Sequence, residues 1–172
     1  IRNYSDPRAT DVDTVIAIMG NRELRNEHIQ QLTAFSSAGG YSGIFIDYRD
    51  LPAGQRANFS SFIRELSNNL HLYHLTLGVV VPEATITPEN TWDTGTYDWR
   101  VLSEFADYVQ INLTINPKSY IDDGVVEALF RWAVGEVNRY KILASFSALS
   151  VREVAGNFTP VPYALALAPL GN

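Results

Sequence analysis

The chain has 172 residues, 46% hydrophobic and 19% charged, a composition that supports a packed core and excludes a disordered or collagen-like polymer. Its 13 Lys and Arg against 19 Asp and Glu leave a formal net charge of −6, which argues against nucleic acid or an anionic membrane as the main partner. The absence of cysteine removes disulfides, thiolate nucleophiles and Cys-ligated metals.

Taken in chain order, apolar runs rich in β-branched residues alternate with helical periodicity. Residues 14–18 form the first predicted strand. A helix starts at Asn21 as N-cap, carries Leu24, His28, Ile29, Leu32 and Phe35 on one stripe, and stops at Gly39-Gly40. Residues 43–48 form the second strand. A helix over residues 54–70 then buries Phe59, Phe62, Ile63, Leu66 and Leu70 at 3.6-residue spacing. Strand three covers residues 75–81, a short helix residues 98–105, and strand four residues 108–113. Asp122 or Asp123 caps a last helix with the stripe Val126, Leu129, Phe130, Ala133 and Val137, and residues 142–146 form the fifth strand.

This is the order of repeated βα units around a parallel sheet, an α/β fold. No linker, low-complexity segment or charge run divides it, so a single domain over residues 1–172 is expected. Five strands are too few to close an eight-stranded barrel, which usually takes about 250 residues. The alternatives are an open five-stranded sheet or part of a barrel whose other strands lie outside the chain. The longest apolar runs are too short to cross a bilayer, and residues 1–20 lack the basic-then-apolar order of a signal peptide.

The stretch Gly40-Tyr-Ser-Gly-Ile-Phe-Ile-Asp-Tyr-Arg-Asp-Leu-Pro52, followed by an amphipathic helix and Leu75-Thr-Leu-Gly-Val-Val-Val-Pro82, resembles glycoside hydrolase family 18, above all its spore-cortex and peptidoglycan glycosidase branch. Residues 97–109, 141–147 and 161–168 are similar to later parts of the same family in the same order. The resemblance implies part of a TIM (β/α)8 barrel, about strands 3 to 7, with residues 148–172 opening the insertion after strand seven. On that reading the start at Ile1 and the stop at Asn172 are truncations, and the open sheet edges call for remaining barrel segments or a neighbouring chain as cover. It also implies an extracellular or cell-surface setting and an N-acetylhexosamine glycan as partner.

Family members use a carboxylic acid to protonate the leaving oxygen, and an Asp two residues earlier to support the substrate's acetamido group. Laid onto this sequence, the four acidic positions are Ser42, Phe45, Asp47 and Arg49. Only Asp47 keeps its carboxylate. Arg49 stands where the acid is needed, and a guanidinium in place of an acid near pKa 6 is a mismatch of roughly 8 kcal/mol. A second strand repeats the loss, because Thr114 and Ile115 occupy the Tyr and Asp positions that hold the acetamido group. The expectation is a non-catalytic, glycan-binding or structural module. Its rivals are an active glycosidase with a relocated acid, for which Glu83 just past Val81-Pro82 is the best candidate, and a purely structural assembly domain.

Strand alternation puts Asp47 and Arg49 on one face, so a charge pair at the mouth is expected, acting either as a ligand anchor or as a plug in a dead centre. Asp50 should turn to the opposite side or into the loop. The expected ligand-binding set is Asp47, Arg49, Glu83, Trp92 and Asn112. Trp92 enters because it flanks a loop on the face where barrels bind ligands, whereas Trp132 reads as core. His28 reads as a packed residue, and His71 and His74 have no third ligand, so no metal is expected. Glycine-rich phosphate motifs are missing, so no nucleotide cofactor is expected. The sequons at Asn3, Asn58, Asn112 and Asn157 read as chance matches.

Overall fold

The computed structural model describes residues 1–6 and 9–167. In chain order its elements are β1 (Tyr4–Asp6), β2 (Ala9–Thr10), α1 (Val12–Gly20), α2 (Arg22–Ala38), β3 (Gly43–Ile46), α3 (Arg56–Leu72), β4 (Thr76–Pro82), β5 (Thr85–Ile86), β6 (Trp92–Asp93), α4 (Trp99–Phe105), β7 (Tyr108–Asn112), α5 (Val125–Glu136), β8 (Ile142–Ser145), β9 (Ser150–Val154), β10 (Asn157–Val161) and α6 (Tyr163–Leu167). The strands β3-β4-β7-β8 form one parallel sheet in that order. Three antiparallel ribbons, β1-β2, β5-β6 and β9-β10, decorate it.

The alternation of parallel strands with helices is the part-barrel architecture expected. Four strands carry it rather than five, because residues 14–18, predicted as a strand, are helical within α1. The β-branched run misled: Asp11 caps the turn by accepting from the Thr14 amide at 3.2 Å, and Val15 and Met19, four residues apart, both go into the core. Capping and helical burial override a strand propensity worth at most about 1 kcal/mol. A fifth parallel position exists elsewhere. The Ile1 carbonyl accepts from the Asp47 amide at 2.8 Å, and Arg2 bridges Asp47 in parallel register beside β3.

Two helix details also depart from expectation. In α2, Asn21 is the N-cap as predicted, accepting from Glu23 and Leu24 amides, but the buried stripe is Ile29, Leu32, Thr33 and Ser36, with Leu24 and Phe35 exposed. Thr33 and Ser36 bury because their hydroxyls donate back to the Ile29 and Leu32 carbonyls. In α5 the N-cap is Gly124, not Asp122 or Asp123. A Cβ there would stand 2.6 Å from the Ile121 carbonyl oxygen, so the tight approach excludes a side chain, and Asp123 instead donates its amide to Glu127. The stripe of α3 is as predicted, and the short helix expected over residues 98–105 is α4, with Asp98 as its N-cap.

The sheet has two unlike faces. One packs Ile44, Ile46, Leu77, Val79, Val81, Val109 and Ile111 against α3, α4 and α5 in a single core. The other carries Phe45, Asp47, Gly78, Val80, Tyr108, Gln110 and Asn112, in register across β3, β4 and β7. Strand β4 therefore reads as an uninterrupted apolar run, since Leu77 through Val81 are all buried. Phe45 stacks on Tyr108 with ring centroids 6.3 Å apart, and the ring lies over Gly78, where a Cβ would sit 2.3 Å from it. Among the described residues no helix is long and apolar enough to cross a membrane.

Candidate functional site

The carboxyl ends of β3, β4 and β7 converge on a cavity of about 330 Å³, lined by Asp47, Arg49, Asp50, Glu83, Tyr97 and Asn112 among others. This is the end at which parallel α/β sheets bind ligands. Asp47 and Arg49 leave β3 on the inner face, two residues apart. Between them Tyr48 turns toward the helices, is buried, and shares a 2.7 Å hydrogen bond with His28 Nε2. His28 also stacks on Phe62. Burial lowers the His28 pKa and raises that of the Tyr48 hydroxyl far above its ordinary value.

Arg49 grips Asp47 with two parallel hydrogen bonds, Nε to Oδ1 at 2.8 Å and Nη2 to Oδ2 at 2.7 Å. The Tyr4 hydroxyl donates to the same Oδ2 at 2.6 Å, and its ring lies 4.3 Å beneath the Arg49 guanidinium carbon. Asn3, itself buried, clamps the backbone of Arg49 by accepting from its amide at 2.9 Å and donating to its carbonyl at 3.1 Å. Burial works to raise the Asp47 carboxyl, but the bonds from Arg49 and Tyr4 and the Arg49 charge outweigh it and hold the group below the ordinary carboxylate range. Arg49 is raised in turn by its bonds to Asp47, and it stays ionised.

Glu83 follows β4 and accepts from the Thr114 amide through Oε2 at 2.8 Å, tying the ends of β4 and β7 together. Burial raises its carboxyl, and the Thr114 bond only partly opposes this. Asn112 presents Oδ1 to Gln110 Nε2 at 3.2 Å. Tyr97 closes the floor. It is buried, donates to the Tyr48 carbonyl at 2.6 Å, and has its hydroxyl pushed up to about 12, chiefly by burial.

Asp47, Arg49, Glu83 and Asn112 are thus brought together. Trp92 is not: it lies in β6, stacked on Trp132 at 5.5 Å, and lines a separate cavity. The β5-β6 ribbon that follows β4 places it there. Ser42 is exposed at the opposite end of β3, and Phe45 is spent on Tyr108. Asp50 enters the cavity wall contrary to expectation, because its backbone takes φ 60° and its carboxylate accepts from Thr10. Asn3, Tyr4 and Tyr97 were not foreseen. Only Tyr97 carried a signal, standing at the head of a segment matched to the family.

Among the described residues there is no group of three or more His, Cys, Asp or Glu placed to hold a metal. Two hydrogen-bonded carboxylates of opposite tendency and one ionised Arg make a site that can bind hydroxyl and amide groups.

The parallel sheet, its helices on one face and a polar cavity at the strand ends are the architecture of part of a β/α barrel. No family model matches the sequence. The comparisons with known proteins point to particular relatives. An uncharacterized glycosylase of Bacillus subtilis (strain 168), YvbX, is 24% identical over 155 residues, covering 86% of this chain and 45% of its own. Among solved structures, the spore cortex-lytic enzyme SleL of Bacillus megaterium QM B1551 superposes with a TM-score of 0.77 at 15% identity, over 96% of this chain and 40% of that one. A chitinase from Chromobacterium violaceum ATCC 12472 does so with a TM-score of 0.76 at 27% identity, over 96% and 54%. The structural neighbours are chitinases and spore cortex-lytic enzymes, as the resemblance to glycoside hydrolase family 18 implied. The chain spans about half the length of these relatives.

Proposed function

We propose that this chain is a glycan-binding, non-catalytic part of a family 18-like barrel, belonging to a secreted or surface protein. The observation that carries the reading is the Asp47–Arg49 pair, in which an ionised guanidinium occupies the place of the proton donor and is fastened there by Asp47, Tyr4 and Asn3. A group above pKa 12 does not protonate a glycosidic oxygen at neutral pH. The cavity keeps Glu83, Asn112 and the Asp47–Arg49 edge for hydroxyl and acetamido contacts, and an N-acetylhexosamine oligomer is the ligand class we expect. Incubation with chitin oligomers and with peptidoglycan, followed by product analysis, tests the absence of turnover, and calorimetric titration with the same oligomers tests binding. Release of reducing ends would defeat the reading. The extracellular setting rests on the resemblance and is checked by cell fractionation.

A second reading is favoured by one observation: burial raises the Glu83 carboxyl at the mouth, the tendency a relocated general acid requires. Under that reading any turnover disappears in Glu83→Gln while saccharide binding persists.

A further inference from the structure

The three tryptophans of the chain meet in one cluster beside the ribbon β5-β6. Trp92 stacks on Trp132 with centroids 5.5 Å apart and planes within 20°, and Trp99 leans on Trp132 at 5.3 Å and 43°. Next to them lies a cavity of about 310 Å³ that shares no lining residue with the mouth cavity. That volume sits at the low end of ligand pockets and fits a ligand of about one ring.

Core packing accounts for Trp99, which is 1% exposed, but not for the rest of the wall. Arg56 reaches across it, donating to Gly95 carbonyl at 2.9 Å, to Asp98 Oδ2 at 3.2 Å and to Thr94 Oγ1 at 3.3 Å. Trp92 remains half-buried at the edge of this polar frame. Trp99 Nε1 is buried and has no acceptor among the described residues.

We propose that this cavity is a saccharide-binding site separate from the barrel mouth. One sugar ring packs its apolar face on Trp92 and shares its hydroxyls between the donors of Arg56 and Thr94 and the carboxylate of Asp98. Of the wall's three carboxylates, Asp98 holds Arg56, Glu136 holds Arg100 and Asp93 accepts from the Gly95 amide, so each already has a partner. A neutral polyol suits a wall that both donates and accepts.

All tryptophan emission comes from this cluster and none from the mouth, so fluorescence separates the two sites. Titration with the N-acetylglucosamine disaccharide and with cellobiose is expected to give a saturable change in emission, with tetramethylammonium chloride giving none. Trp92→Ala should weaken saccharide binding about tenfold, the loss of about 1.4 kcal/mol, with the emission of Trp99 and Trp132 as the readout for this variant. Thr94→Val should weaken it as well; thermal melts confirm that each variant is folded. Flat emission up to the solubility limit, a response to tetramethylammonium alone, or full affinity in both Trp92→Ala and Thr94→Val would overturn the proposal. Binding that appears in calorimetry without any tryptophan response, and disappears with Arg49→Met, would overturn it while leaving the mouth as a glycan site.

Discussion

Replacing Arg49 with Met removes both hydrogen bonds to Asp47 while keeping an apolar stem over the Tyr4 ring, and it isolates what the charge pair contributes. Charge-assisted hydrogen bonds contribute about 1.5–3 kcal/mol when well shielded. The Arg49 side chain is 38% exposed and Asp47 18% exposed, so solvent screening reduces this to about 1–2 kcal/mol. Losing the guanidinium–Tyr4 contact at 4.3 Å removes about 0.5 kcal/mol more. For a chain of this size each kcal/mol moves the melting temperature by about 2–4 °C. The pH dependence carries the decisive sign. The folded Asp47 carboxyl is depressed, so its contribution is present above the unfolded carboxylate value of about 3.9 and is lost as pH falls through the lower folded value. The gap in melting temperature between the parent chain and Arg49→Met is therefore expected to be widest at pH 6–7 and to shrink below about pH 3. Differential scanning calorimetry from pH 2.5 to 7 measures it. A gap that stays constant across the range, or a variant as stable as the parent at pH 7, would refute the view that the Asp47–Arg49 pair holds the mouth together.

Three further outcomes follow from the same geometry. Glu83→Gln keeps an acceptor for the Thr114 amide but removes a carboxylate whose folded pKa is raised by burial; a raised carboxyl lowers stability above its unfolded value, so the variant should melt higher than the parent at pH 7 and equal to it near pH 4, as paired thermal scans will show. Asn3→Ala strips the Arg49 amide and carbonyl of both partners and should cost about 1–3 kcal/mol in urea unfolding, with the loss unchanged by pH. Gly78→Ala sets a Cβ against the Phe45 ring and should cost about 1–3 kcal/mol, much of it recovered in the double variant with Phe45→Ala, a coupling that a double-mutant cycle measures.

The pair at the mouth was legible because strand alternation is a local rule: residues 47 and 49 had to share a face, and an Arg beside an Asp on one face had to pair. What the pair rests on was not. Tyr4 and Asn3 lie more than 40 positions away in the chain, and only the parallel bridge of Arg2 to Asp47 brings them under Arg49. Trp92 shows the opposite failure. Loop position put it on the ligand-binding side, but the two-residue ribbon β5-β6 turns it onto Trp132, a partner 40 residues on that its place beside Leu129 assigned to the core.

What the sequence alone determined were features ruled by neighbours in the chain: the cap at Asn21, the stripe of α3, the apolar run of β4, and the alternation that makes the fold α/β. The tertiary structure decided the rest. It made residues 14–18 a helix, since Val15 and Met19 find the core only at helical spacing. It turned Asp50 into the cavity through a left-handed backbone, and it gathered three strand ends, a buried Asn and a Tyr ring into one site. Local propensities are worth tenths of a kcal/mol to about 1 kcal/mol per residue, whereas burial of a large apolar side chain contributes about 1.5–3 kcal/mol. Wherever the two disagreed along this chain, long-range burial prevailed.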